Sequence, residues 1–241
     1  MKANLLIPMA GAGKRFSDAG YTIHKSFLPL GKDTMIEAVI KNLYHPDLHF
    51  IFVASSKTID TAELKQKVAK HLKDFDFLEV DYLPQGSAMT CLVARDLIDN
   101  ATPLITADCD AIIEDWNYDY FKNFCDFHNP DGVIGTFFSV NPKNSYVRID
   151  GEGRIIETKE KQVIGNMATN GLRYWKNGKM FVAAVEEMIK NNDMTNGEYY
   201  VAPSFNYMLK EGMRVLPYHF NMHFPTGIPE DYENYRKWRN L

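Results

Sequence analysis

Four short apolar runs, "NLLIPM" (4–9), "HFIFVAS" (49–55), "FLEVDYL" (77–83) and "TPLITAD" (102–108), alternate with segments of helical periodicity. Each run is the length of a strand. Parallel strands need a crossover connection, and crossover helices cover both faces of the sheet they join. The alternation therefore predicts an α/β protein with a mainly parallel sheet covered on both faces. The intervening helices carry their own signals. "TMIEAVIKNL" has Thr34 and Glu37 at capping-box spacing. A second helix runs from Asp60 to about Leu72. A third, "AMTCLVARDLI" (88–98), has Ser87 placed to cap it.

The second half changes character. "GVIGTFFSV", "SYVRID" and "RIIETK" read as strands, and the "GEG" between the last two predicts a hairpin. Helices are expected near 178–191 and 199–210, followed by the strand "RVLPYHF". A last helix starts at Pro229, with Glu230 and Asp231 in its first turn, near the positive end of the dipole.

With 241 residues, 45% of them hydrophobic, the chain can bury the core of one domain. We read residues 1–241 as that one domain. The net charge of −4 gives no general basic field, which argues against nucleic acid as a partner; any phosphate site must be local. Cys91, Cys109 and Cys125 are odd in number and lack metal-ligand spacing, as expected of reduced thiols in a cytoplasmic protein. No apolar run is long enough to span a membrane. The N-terminal run is short, interrupted by Pro8 and followed at once by "GKRF", so it reads as a first buried strand and not as a signal peptide.

The chemistry starts at "LLIPMAGAGKRF" (5–16), where bare backbone gives way to cations. A P-loop needs G-x-x-x-x-G-K-[ST]; here Arg15 stands where the metal-binding hydroxyl belongs, and Pro8 where the first glycine would fall. A Rossmann turn needs a third small residue, and Phe16 occupies that place. Further along come Lys25, the helix-leading "PQGSA" (84–88), and Asp108 and Asp110 at the close of an apolar strand. All follow strand ends, where ligands collect in open parallel sheets. Glycine amides and cations suit a polyphosphate, and two carboxylates suit Mg²⁺.

"MAGAGKRF…HKSFLPLGKDTMIEAVI" resembles the opening of the nucleotidylyltransferases that make nucleotide sugars and related activated alcohols: a G-x-G-x-R loop, a lysine, then "L…G…MIE". "YLPQGSA" is similar to their base-binding segment and "TADCD" to their metal aspartate. "GRIIETKEK", "ATNGLRYW", "GEYYVAP" and "FPTGIPEDYENY" resemble the acceptor-side and closing motifs. The ordered set covers nearly the whole chain, and the fold it implies is a three-layer α/β/α sandwich with a mixed, mainly parallel central sheet. Two positions depart. His24 stands where many members have proline, and its "HKS" resembles choline-phosphate and capsule-pathway cytidylyltransferases. Pro225 stands where some members place a second metal-binding aspartate, which leaves Asp110 as the substitute.

The resemblance implies that an NTP and a phosphomonoester give a nucleoside-diphosphate conjugate and pyrophosphate. The acceptor phosphate is already anionic at neutral pH and needs no general base. Met9, Ala10, Gly11, Ala12 and Gly13 would cradle the triphosphate, with Lys14 auxiliary and Arg15 on the β- and γ-phosphates. Lys25 would bridge the α-phosphate and the acceptor. Asp108, with Asp110, would hold Mg²⁺ or Mn²⁺. Gln85, Gly86 and Ser87 would meet the base, and Glu160, Lys161, Asn170, Glu198 and Tyr200 the acceptor. His219 and His223 are read as structural or surface residues. CTP is the favoured nucleotide, and a small capsule or surface-polymer precursor the favoured acceptor. The alternatives are a UTP- or dTTP-dependent sugar-1-phosphate enzyme, a metal-dependent glycosyltransferase, or a non-catalytic nucleotide-binding module.

Overall fold

The computed structural model describes residues 1–241. The strands in chain order are β1 (Ala3–Pro8), β2 (Pro29–Leu30), β3 (Asp33–Thr34), β4 (Leu48–Ser55), β5 (Phe75–Val80), β6 (Leu104–Thr106), β7 (Ala111–Ile113), β8 (Gly132–Phe138), β9 (Tyr146–Ile149), β10 (Ile155–Lys159), β11 (Met167–Trp175), β12 (Val215–His219) and β13 (His223–Pro225). The helices are α1 (Lys14–Asp18), α2 (Met35–Leu43), α3 (Thr61–Ala69), α4 (Ser87–Leu92), α5 (Arg95–Ile98), α6 (Tyr118–His128), α7 (Gly178–Lys190), α8 (Val201–Lys210) and α9 (Pro229–Trp238).

The first half gives the parallel ladder β6-β1-β4-β5. β1, β4 and β6 are buried on both faces, β5 at the edge is only half-buried, and the period-2 alternation divides the side chains between two cores. Leu5 and Ile7 of β1 and Phe50 and Phe52 of β4 face one layer, with α2, α3, α6 and α9. Leu6, Ile51 and Val53 face the other, with α4, α5, α7 and α8. This is the expected α/β/α sandwich. The second half adds β11, antiparallel to β6, and then β8 and β12, so the sheet is mixed. The "GEG" hairpin forms as β9–β10, against the early part of β11.

Local signals hold in several places. Glu37 accepts from the Thr34 N–H at 2.9 Å, completing the capping box. Asp60 caps α3 through the Glu63 N–H at 2.9 Å, and Pro229 opens α9. Three details differ. The helix expected over 88–98 is broken into α4 and α5, and its N-cap is Gly86, not Ser87. Gly86 adopts φ +101°, and a Cβ there would lie 2.4 Å from the Tyr199 carbonyl oxygen. The chain turns into α4 where only glycine fits, and Ser87 is already helical. The helix expected from 199 starts at Val201 because Tyr199 is held extended: its N–H donates to Gln85 O at 3.0 Å and its carbonyl accepts from Ala88 N at 2.9 Å. The helix α6 carried too many aromatic and acidic residues to announce itself. It forms because Tyr118, Phe121 and Cys125, one helical face, reach the core.

A candidate active-site cleft at the strand ends

The carboxyl ends of β1 and β6, the bulged middle of β11 and the end of β10 border one open cleft of about 430 Å³. The sheet order explains the convergence. β1 and β6 are parallel neighbours, so their following loops, 9–13 and 107–110, leave the sheet side by side.

After β1 the chain turns through Ala10–Gly13, with Gly13 at φ +61° capping the short α1. The N–H groups of Ala10, Gly11, Ala12 and Gly13 have no hydrogen-bond partner in the protein. Four free donors in a row form an anion cradle. Arg15 stands beside it, and Phe16 turns the other way to anchor the loop, fully buried against Tyr21 and Tyr232. Phe16 thus uses the space that a third small residue would have left in a dinucleotide fold.

Lys25 follows His24, whose Nδ1 accepts from the Ser26 N–H at 3.2 Å; the other ring nitrogen lies 3.4 Å from Gly11 O. The imidazole ties the lysine turn to the glycine loop, and burial lowers its pKa. Lys25 Nζ donates to Asp110 Oδ2. Burial disfavours the ammonium, but Asp110 outweighs it and the amine stays above its ordinary range. Burial likewise pushes the Asp110 carboxyl up, and Lys25 reverses this to a net lowering. The closing segment buttresses Asp110. β13 pairs with β7, and the Thr226 N–H and hydroxyl both donate to the Asp110 carbonyl, at 2.8 and 2.6 Å. Gly227 lets the chain pass: a Cβ there would meet Asp110 Oδ2 at 2.9 Å. Pro225 lines the cleft opposite Ala111.

Asp108 is held from β11. Arg173 Nη1 donates to its Oδ1 at 3.1 Å, while Oδ2 has no donor in the protein, and the side chain is 42% exposed. The acceptor half holds Glu160, which accepts from Ser145. Burial raises its pKa. Lys161, at φ +53°, donates to Tyr200 Oη at 2.5 Å with its ammonium 4.4 Å from the ring centre. Burial, then Glu198, raises the Tyr200 phenol. The Asn170 side chain is buried and its Nδ2 has no partner.

Met9–Ala12, Arg15, Lys25, Gly86, Ser87, Asp108, Asp110, Glu160, Lys161, Asn170, Glu198 and Tyr200 all line this cleft. Gly13, Lys14 and Gln85 do not. The Gln85 amide donates to Gly197 O at 2.9 Å instead, and both the N–H and the carbonyl of Gly86 are spent within the turn, on Pro84 and Thr90. The backbone of Gly86 is thus engaged and the Gln85 amide nitrogen is occupied, but the Gln85 side-chain oxygen has no partner, and Ala10 retains both its N–H and its carbonyl. Among the charged lining residues, Arg173 and Lys143 had no place in the sequence reading, and His223, read there as structural or surface, also lines the cleft. Lys143 donates to both oxygens of Asp231 at 2.8 and 2.7 Å. The His223 ring lies 4.6 Å from that of Phe137, tilted by 56°, and burial brings its pKa down to about 4. No sequence signal marked the first two, since each is defined by a partner 65 or 88 residues away.

The sequence matches the profile of the family described as nucleotidyl transferase over residues 5–237. The chain belongs to the nucleotidyl transferase family. Solved structures agree on the nucleotidyl transferase fold. A nucleoside-diphosphate-sugar pyrophosphorylase from Vibrio cholerae RC9 superposes with a TM-score of 0.85 at 22% identity, covering 97% of this chain and 99% of that one. A UDP-glucose pyrophosphorylase complexed with UDP-glucose gives 0.80 at 17%, covering all of both chains. The inositol-1-phosphate CTP transferase from T. maritima gives 0.74 at 16%, covering 96% and 91%. No curated protein sequence matches the chain. No helix is long and apolar enough to cross a membrane.

Within this nucleotidyl transferase cleft the donor set for a metal is all oxygen, which suits a hard cation. No group of three or more His, Cys, Asp or Glu is clustered to cage one. Asp108, with its free Oδ2, fits an ion that shares its remaining ligands with phosphate and water.

Proposed function

We propose that the protein transfers a nucleotidyl group from an NTP, CTP by preference, to a small phosphomonoester and releases pyrophosphate. The observation that carries this reading is the meeting of four unpartnered amides (Ala10–Gly13) with Arg15, Lys25 and Asp108 around one cleft. The amides and Arg15 would bind the triphosphate. Lys25, released from Asp110 onto phosphate, would bring the two polyanions together and steady charge at the reacting phosphorus. The phosphate monoester attacks in line without a general base. Asp108, with Asp110 as a second ligand, would hold Mg²⁺ or Mn²⁺, which when bound supplies positive charge to the leaving pyrophosphate.

Residues 1–115 would supply the nucleotide side. The acceptor would lie against residues from 116–241: Glu160, Lys161, Asn170, Glu198 and Tyr200. The favoured acceptor is a sugar, polyol, amino-alcohol or amino-acid phosphate for capsule or surface-polymer synthesis in the cytoplasm. Support for CTP is the "HKS" turn and the free carbonyl of Ala10, an acceptor of the kind the cytosine amino group requires. The printed activity of the T. maritima neighbour is in keeping with it. UTP is the second reading, since the Vibrio cholerae and UDP-glucose neighbours are nucleotide-sugar enzymes by name. The test is pyrophosphate release with each NTP against sugar-1-phosphates, polyol phosphates, phosphocholine and phosphoamino acids. Release with no pair would end the reading. UTP or dTTP with a sugar-1-phosphate as the best pair would select the second.

A further inference from the structure

Arg173 is 6% exposed, a full positive charge at the cleft floor. Its place follows from the sheet. On β11 it stands opposite Thr106 of β6, two residues before Asp108. The register of β11 against β8 shifts between Thr169 and Arg173, and the extra residues include Gly171 at φ +90°. Arg173 Nη1 donates both to Asp108 Oδ1 and to Gly171 O, at 3.1 and 2.9 Å. A Cβ on Gly171 would lie 2.6 Å from Asp108 Oδ2, so the bare Cα packs against the carboxylate. One bulge thus supplies both the donor and the wall that fix Asp108. The Arg173 Nε is buried with no partner, a cost that a residue kept only for packing need not bear.

We propose that Arg173 is the positioning residue of Asp108: it orients the carboxylate and compensates its charge, so that the cleft does not retain a divalent cation without nucleotide. Asp110 is compensated in the same way by Lys25. The inference rests on the proposed function for its catalytic arm only.

The test compares Arg173→Met and Arg173→Lys with the wild type by two readouts. Mn²⁺ alone, titrated by electron spin resonance, reads the charge. The kcat for pyrophosphate release reads the orientation, with KM for the NTP alongside. Arg173→Met should bind Mn²⁺ alone about threefold or more tighter, because an uncompensated carboxylate attracts it. Its kcat should fall about 10- to 100-fold, as for partners that orient a metal ligand, with KM nearly unchanged. Arg173→Lys keeps the charge but not the planar fork. It should bind Mn²⁺ like the wild type and still lose kcat. A folded Arg173→Met with unchanged Mn²⁺ affinity and kcat overturns the proposal, as does a lowered Tm as its sole effect. Should Arg173→Met not fold, wild-type kcat in Arg173→Lys overturns it. A wild type that releases no pyrophosphate with any pair would sink the parent reading, and the Mn²⁺ arm would still decide this one.

Discussion

Lys25 and Asp110, 85 residues apart in the chain, are joined Nζ to Oδ2 in the middle of the cleft. The pair brings the lysine turn after α1 to the strand end at β6, and it leaves the Lys25 ammonium neutralised within the cleft.

Lys25→Ala is expected to cut turnover by about 100-fold or more, since it leaves phosphate charge unopposed at the reacting end. It should also cost stability, because Asp110 stays behind with 17% exposure. About 1–3 kcal/mol is expected, below the figure for a fully buried pair. Lys25→Ala/Asp110→Ala should recover most of that stability and none of the turnover. Denaturant midpoints and steady-state rates separate the two effects. Arg15→Ala, at an exposed position, should lose turnover with no change in midpoint.

Asp108→Asn keeps shape and removes charge. Activity is expected to vanish in this variant, as it should in wild type treated with EDTA, and to return to the treated wild type with Mg²⁺ or Mn²⁺. Asp110→Asn should lose about tenfold or more if it serves as the second ligand. A smaller loss would move that role to another oxygen. Survival of activity through both EDTA and Asp108→Asn would refute the metal assignment.

Acid should destabilise the fold in a defined window. Burial holds His223 at about 4 in the folded state, against the pull of Asp110 and Asp115 and below its ordinary 6.5. The unfolded chain therefore binds the proton more readily. Stability is full above about pH 6.5 and is lost as pH falls towards 4, by at most about 3 kcal/mol. Asp110, lowered by Lys25, adds a loss of the same sign at lower pH, while Glu160, raised by burial, opposes it. His223→Phe should flatten urea midpoints measured from pH 7 to 4; an unchanged slope would show that His223 does not carry it.

Gly86→Ala is expected to destabilise by about 2–4 kcal/mol, combining a positive φ with a Cβ driven into the Tyr199 backbone. Thermal melts measure it, and a shift within error would mean the turn can relax.

Base choice supplies the last test. Gln85→Ala should change the ratio of kcat/KM for CTP over UTP by less than about threefold, because its amide serves Gly197. For wild type with its best acceptor the ratio should be about tenfold or more in favour of CTP, the cost of one misplaced donor–acceptor pair. A ratio near or below one would remove the cytidylyl preference and leave nucleotidyl transfer in place.

The sequence by itself determined the sandwich, the strand-end location of the cleft, the capping box at Thr34 and Glu37 and the hairpin at "GEG". These rest on interactions a few residues long or on the period of apolar side chains, and both are written along the chain. It also named about half of the residues that line the cleft, because the glycine loop and the aspartates follow strand ends. The tertiary structure alone decided what those residues touch. Which cation compensates Asp108 depends on the register and bulge of β11 against its neighbours, and β11 reaches β6 only after β7 to β10 and α6 have intervened. Lys143 meets Asp231 for the same reason, through α9 folding back over the cleft. The Gln85 amide meets a carbonyl 112 residues on. Pairings at such separations are fixed by the packing of whole elements, and no local pattern encodes them.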